Sequence, residues 1–403
     1  MSSNHTSRNH YVPQWYQRRF LPPGVTKFFY LDLKPDIVRV APGRTYTRKA
    51  LLRWGPINCF YQDDLYTMKL GGWSTDAIER KFFGPIDDVG KNAVEFFSEY
   101  GSWDKAHDLI RPLMVYMDAQ RLRTPRGLDW LKLITRTSNQ NAILNTMRRV
   151  YQINSTMWME GIWEIVRADK SSAKFLITDQ PVTFYNPRVF PASPKIPYPL
   201  DADLQNVGTR TLFPLSMDRC LVITHLQLVR DPWFNPLKSR VNARSYATAV
   251  FDLRSVQTDR YLTDDEVLRI NFILKRRATR YIASATEEGL YPERHVSTDH
   301  WTKLDHDWFL LPNLYKVTFS SGIVAGWDDG SSWAADEYGR SRRHPRYQDK
   351  EQHSREWRTT QKAKEAWLTK RKGKSIGRTQ DDFNDSSDRV MERELTKLSG
   401  RQV

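Results

Sequence analysis

Residues 161–187 read GIWEIVRADKSSAKFLITDQPVTFYNP, and along them the hydrophobic spacing leaves the helical period of the preceding segments. Ile162, Trp163, Ile165 and Val166, then Phe175, Leu176 and Ile177, are short apolar runs rich in β-branched and aromatic residues. They are bounded by polar turn residues, which is how strands read. The spacing predicts a hairpin whose turn is Asp169-Lys170-Ser171-Ser172. Upstream, STDAIERKFFGPIDDVGKNAVEFFSEY (74–100), DKAHDLIRPLMVYMDAQRLRTPRG (104–127) and GLDWLKLITRTSNQNAILNTMRRVYQIN (127–154) place apolar residues at helical intervals. Ser74 or Thr75 is the expected first cap, and Pro125 the expected stop of the second segment.

Farther out on the N-terminal side, TKFFYLDLK (26–34) alternates as a strand, and DIVRVAP (36–42) is expected to pair with it. On the C-terminal side, a proline-rich loop covers about 186–208. TRTLFPLSMDRCLVITH (209–225) then reads as two short strands or one broken strand, and NARSYATAVFDLRSV (242–256) follows neither period. A helix is expected from a Thr263 cap to a Gly289 stop. Strands, helices, strands and a helix in that order are segregated rather than alternating. The expected class is therefore α+β, a mixed or antiparallel sheet with a helical segment inserted between strands. No GxGxxG or GxxxxGK[ST] motif occurs, which argues against a Rossmann or P-loop nucleotide site.

The net charge of +15 favours an anionic partner. It is uneven: residues 340–403 hold 18 Lys and Arg against 10 Asp and Glu, while the rest has an ordinary balance. Apolar periodicity fades beyond about Tyr338. The expected organisation is one globular unit over 1–338 and a polar basic tail over 339–403, disordered or helical only when bound. The tail would hold DNA or RNA through phosphate contacts, and a partner protein is a further option. Cys59 and Cys220, both in apolar settings, are expected to be buried free thiols. No signal segment and no 18-residue apolar run is present, so no membrane association is expected and the expected compartment is the cytoplasm.

Five stretches hold candidate chemistry, each weighed against a structural role. NHYVPQWYQRRF (9–20) offers His10 as an acid/base and Arg19 toward an anion, or serves as a buried anchor. AQRLRTP (119–125) offers Gln120, Arg121 and Arg123 as phosphate contacts, or simply ends a helix with favourable cations. FLITDQPV (175–182) puts Asp179 at a strand tip, as a metal ligand or as the cap of its own turn. LFPLSMDRCLVIT (212–224) reads as a kinked core strand. HVSTDHWTKLDHDW (295–308) lacks metal-ligand order.

Four of these stretches, in this order, resemble one bacterial family, domain of unknown function 4238. That family opens with a His-Tyr-Val-Pro-Gln run and continues with an Arg-x-Pro helix end, a Ser-Asp-Asn-Pro turn and Phe-Pro-Leu-Ser. The matching positions are His10, Tyr11, Pro13, Gln14, Arg19 and Phe20; Gln120, Arg121 and Arg123; Asp179 and Pro181; and Pro214, Leu215 and Ser216, within about 9–285. The turn here reads Thr178-Asp179-Gln180-Pro181, with Gln for Asn. The resemblance implies an accessory or effector protein of bacterial anti-phage defence, and groups His10, Arg121 and Asp179 around one cavity.

On that grouping the expected function is a nucleic-acid-directed effector, a metal-dependent nuclease and hence a hydrolase. Asp179 would be metal ligand or base with Glu79 or Glu164, His10 acid/base, and Arg19, Gln120, Arg121 and Arg123 substrate contacts, with Mg²⁺ or Mn²⁺. The alternatives are an enzyme acting on a nucleotide, and a non-enzymatic nucleic-acid or protein-binding module in which His10, Arg121 and Asp179 form a structural network.

Overall fold

The computed structural model describes residues 8–41, 44–70, 73–75, 77–101, 104–240, 253–317, 322–336 and 338–371. Two four-stranded antiparallel sheets form its centre. One has the order Ile177–Thr178, Tyr281–Ser284, Phe28–Asp32, Leu51–Trp54. The other has the order Thr183–Tyr185, Arg210–Ser216, Arg219–His225, Gly161–Arg167. The helical segment, with helices Gly84–Ser98, His107–Leu122, Pro125–Thr135 and Gln140–Val150, falls in sequence between the strands Leu51–Trp54 and Gly161–Arg167. The fold is α+β, with antiparallel sheets. Trp158 and Trp163 are fully buried in the main core, and their indole N–H groups donate to Thr211 Oγ1 (2.9 Å) and to the Trp158 carbonyl (2.8 Å). Large aromatics are kept inside this way when their polar edge finds a partner.

Several pairings differ from the sequence expectation, each for a local reason. Phe28–Asp32 takes Leu51–Trp54 and Tyr281–Ser284 as neighbours. This stacks Tyr30 on Trp54 and Tyr281, with ring centroids 5.6 and 5.1 Å away. Ile37–Ala41 instead pairs with Arg44–Thr47 in an outlying hairpin, where Ile37 and Val40 are 72% and 62% exposed. Burying Phe28 and Tyr30 against two strands removes more apolar surface than that local hairpin would.

Gly161–Arg167 pairs with Arg219–His225, not with its sequence neighbour Ile177–Thr178. The Ser171-Ser172 turn redirects the chain. Ser171 Oγ (2.6 Å) and the Ser172 N–H (2.9 Å) donate to the Asp264 carboxylate at the start of a helix. That helix, Asp264–Arg277, opens with a capping box between Thr263 and Glu266. Pro125 does not merely stop the preceding helix. It is the first residue of the next one, with Thr124 as cap.

The helix expected to run to Gly289 ends at Arg277, and Tyr281–Ser284 is a strand. Asp179 explains the break. Its carboxylate accepts the N–H of Thr279 (2.9 Å), Arg280 (2.6 Å) and Tyr281 (3.0 Å), and its own N–H donates to the Tyr281 carbonyl. Those N–H groups would otherwise have continued the helix. A buried carboxylate satisfies them and turns the chain into the sheet.

The expected tail is folded as far as it is described. Lys350–Arg371 is a helix, and its Thr360, Ala363 and Trp367 are buried; Ala363 and Trp367 pack with Leu228, Val229, Leu311 and Leu314. The stripe falls at i, i+3 and i+7, but only Trp367 is large, so the sequence pattern is faint. Residues 372–403, like most of 242–256, lie outside the described residues.

Replacing Asp179 by Ala leaves three N–H groups without their acceptor. Stability is expected to fall by about 3 kcal/mol or more, read as a lower urea midpoint. An unchanged midpoint would show that the turn does not need this carboxylate.

Candidate functional site

The four motifs of the sequence lie against one another, mostly through backbone atoms. The Gln120 side chain donates to the Tyr11 carbonyl (2.8 Å) and accepts from Arg123 Nε (2.8 Å). Gln180 donates to Thr124 Oγ1 (2.8 Å). The Tyr16 hydroxyl donates to the Pro214 carbonyl, its ring stacks on Phe213, and Arg19 Nε donates to the Leu215 carbonyl (2.7 Å). The opening segment, the helix end, the Thr-Asp-Gln-Pro turn and the Phe-Pro-Leu-Ser hairpin are therefore structural partners.

The nominated site residues divide accordingly. His10 sits in the short pairing of Arg8–His10 with Tyr61–Asp63, its Nε2 3.1 Å from the Ile57 carbonyl, and burial lowers its pKa. Its neighbour Tyr11 is the residue linked to Asp179: burial first, then that carboxylate, raises the phenol well above its usual value. Arg123 is buried and paired with Asp87 at 2.9 Å. Glu164 is buried and paired with Arg260 at 3.0 Å, and Arg260 also reaches Glu266. Glu79 begins the turn before Gly84–Ser98, and its charge is felt by Tyr66.

Asp179, Glu79 and Glu164 are thus committed to three different neighbourhoods. Among the described residues no group of three His, Cys, Asp or Glu is placed to hold a metal. Asp179 has three N–H donors on its carboxylate, so this donor set does not fit Mg²⁺ or Mn²⁺. Cys59 and Cys220 are buried free thiols, as expected.

Arg121, among the nominated residues, makes no side-chain hydrogen bond among the described residues. It belongs to a cluster with Arg126 and Arg277, which the sequence reading did not single out. Arg121 closes helix His107–Leu122, Arg126 is the second residue of Pro125–Thr135, and Arg277 ends Asp264–Arg277. The turn joining the first two helices is so tight that a Cβ on Gly127 would lie 2.2 Å from the Arg121 carbonyl. Arg126 spends its donors on the carbonyls of Pro199 (3.2 Å), Leu200 and Arg277 (3.2 Å).

Arg277 is 1% exposed and meets Asp201, but its Nε and Nη1 have no hydrogen-bond partner among the described residues. Arg121 lies 4.1 Å above the Phe184 ring and makes no hydrogen bond there. Burial, opposed by Asp118 and helped by Arg126, pushes the Arg121 guanidinium down to about 10. It remains charged at neutral pH. Arg277 is lowered further, by burial and then by Arg126 and Arg121. Asp118, the acid whose charge acts on Arg121, is itself pushed up by burial to about 7, and its carboxylate accepts from the Asn154 N–H (2.8 Å) and Nδ2 (2.6 Å).

An α+β body whose four motifs brace a cluster of three arginines is the class of protein that these observations define. The family model described as Protein of unknown function (DUF4238) matches residues 8–288, well over half of the chain, and the protein belongs to that family. No curated protein and no solved structure matches it. Among the described residues no helix is long and apolar enough to cross a membrane.

The Asp118 shift has a sign that can be checked. Its folded-state pKa lies above the usual 3.8. The native state therefore holds a proton that the unfolded chain releases, and stability from this group is lost as pH rises from about 4 to 7. Melting temperature against pH across that window is expected to fall less steeply in Asp118→Asn than in the wild type. Parallel curves would contradict the shift.

Proposed function

We propose that the protein binds nucleic acid without cleaving it, holding a backbone phosphate against Arg121 and Arg277. The observation that carries this reading is the set of N–H donors that Arg121 and Arg277 leave without acceptors among the described residues. Buried charges are ordinarily paired. Elsewhere the chain follows that rule: Arg123 has Asp87, Arg260 has Glu164 and Glu266, and Arg269 has Asp307. Arg277 likewise has an acid, Asp201, but keeps two N–H donors without a partner among the described residues, and Arg121, with Asp118 acting on it, offers its guanidinium over an aromatic ring. A phosphate supplies several acceptor oxygens for such donors. The overall charge of +15 adds a sequence-independent attraction to the same partner.

Arg121→Gln is the discriminating substitution, because this side chain braces nothing by hydrogen bond. Fluorescence anisotropy with labelled single-stranded RNA and DNA is expected to show binding that weakens steeply between about 50 and 200 mM salt. The variant should bind about tenfold more weakly, with a melting temperature within a few degrees of wild type. Equal affinity of variant and wild type would remove the proposal.

A further inference from the structure

A cavity of about 400 Å³ lies apart from the arginine cluster, beside the helix Leu226–Arg230 and the segment Thr302–Leu311. Its rim is aromatic. Trp233, 56% exposed, stands edge-on to Trp308 with ring centroids 5.4 Å apart, and Phe234 lies alongside. Among the polar lining residues are Arg210, 2.5 Å from Asp305, whose other oxygen accepts the Leu310 N–H at 2.8 Å. The Arg210 side chain is 5% exposed, and its Nε and Nη1 have no hydrogen-bond partner among the described residues. Arg188 is exposed at the edge of the cavity.

Trp308 adds an independent sign. Its backbone is held at φ 62°, a left-handed conformation that a bulky side chain rarely adopts. Such backbone strain persists where the surroundings enforce it, and it clusters at binding sites. Here the surroundings are the Trp308 N–H bond to the Asp305 carbonyl (3.1 Å) and the Leu311 N–H bond to the Trp308 carbonyl (3.0 Å).

We infer that this cavity binds a nucleotide, with the base against Trp233 and Trp308 and the phosphate at Arg188. Asp305 is already matched by Arg210, so the lining offers spare N–H donors and no spare carboxylate. A cationic guest would meet Arg210 and Arg188 and be repelled. A planar ring bearing acceptor atoms satisfies the donors and stacks on the indoles. Guanine, which sets O6 and N7 side by side as acceptors, suits an arginine best. The volume is that of a site for a ligand of this size. This inference goes beyond phosphate recognition at Arg121 and stands without it.

Calorimetric titration of the full chain with GMP, AMP, CMP, UMP and guanosine tests it. Wild type is expected to bind GMP tightest of the four nucleotides, and guanosine more weakly than GMP. Trp233→Ala, which changes an exposed side chain, should lower GMP affinity about tenfold or more. Arg188→Ala should bring GMP down to the guanosine level, and Arg121→Gln should leave GMP binding unchanged. No binding of any of the four nucleotides at millimolar concentration, or equal GMP affinity in Trp233→Ala, would overturn the inference. Loss of GMP binding in Arg121→Gln would overturn it too, because the nucleotide would then sit at the arginine cluster.

Discussion

One carboxylate, that of Asp179, decides where the last long helix of the body stops. By taking the N–H groups of Thr279, Arg280 and Tyr281 it converts the end of Asp264–Arg277 into the start of a sheet strand. Tyr281–Ser284 can then slot between Ile177–Thr178 and Phe28–Asp32, joining segments from opposite ends of the chain. The same turn fixes Arg277 as the terminal residue of its helix, with its carbonyl held by Arg126. A side chain that the sequence offers as a metal ligand or as the cap of its own turn thus braces a turn, and that turn holds the arginine cluster.

That cluster is costly to assemble. Two guanidinium groups near one another in a partly dry setting repel, and burial removes the hydration that offsets their charge. Arg126 is tolerated because backbone carbonyls surround it; Arg277 meets Asp201 and Arg121 feels Asp118, but their N–H donors are not all taken among the described residues. The chain keeps them together through rigid parts: two helix ends, a helix start and a turn with no room for a Cβ at Gly127. Preorganised donors of this kind gain most when an anion arrives, since the ordering has been done beforehand.

Much of the fold was legible. The change of period at 161–187 indicated strands, the inserted helices lie within the stretches read as helical, and Thr263 caps its helix as expected. Strand partners were not legible. Gly161–Arg167 and Phe28–Asp32 both pair with distant segments, and non-local pairing leaves no mark in local periodicity. The site was legible in outline only. The four motifs do meet, but Gln120 and Arg19 meet carbonyl groups of Tyr11 and Leu215, and a carbonyl carries no residue letter. Arg126 did leave a sign that was missed. It is a cation in the first turn of a helix, directly after Pro125, where the helix dipole disfavours positive charge. A residue that breaks a local rule in that way marks a site better than another arginine at a helix end, which only follows it.

Thermal unfolding in sodium phosphate or pyrophosphate, against sodium chloride at equal ionic strength, measures the central claim most directly. A built oxyanion site predicts saturable stabilisation by the phosphates above chloride, about 1.4 kcal/mol at ten times the dissociation constant. Identical curves in phosphate, pyrophosphate and chloride would mean that the three arginines bind no oxyanion and serve the fold alone.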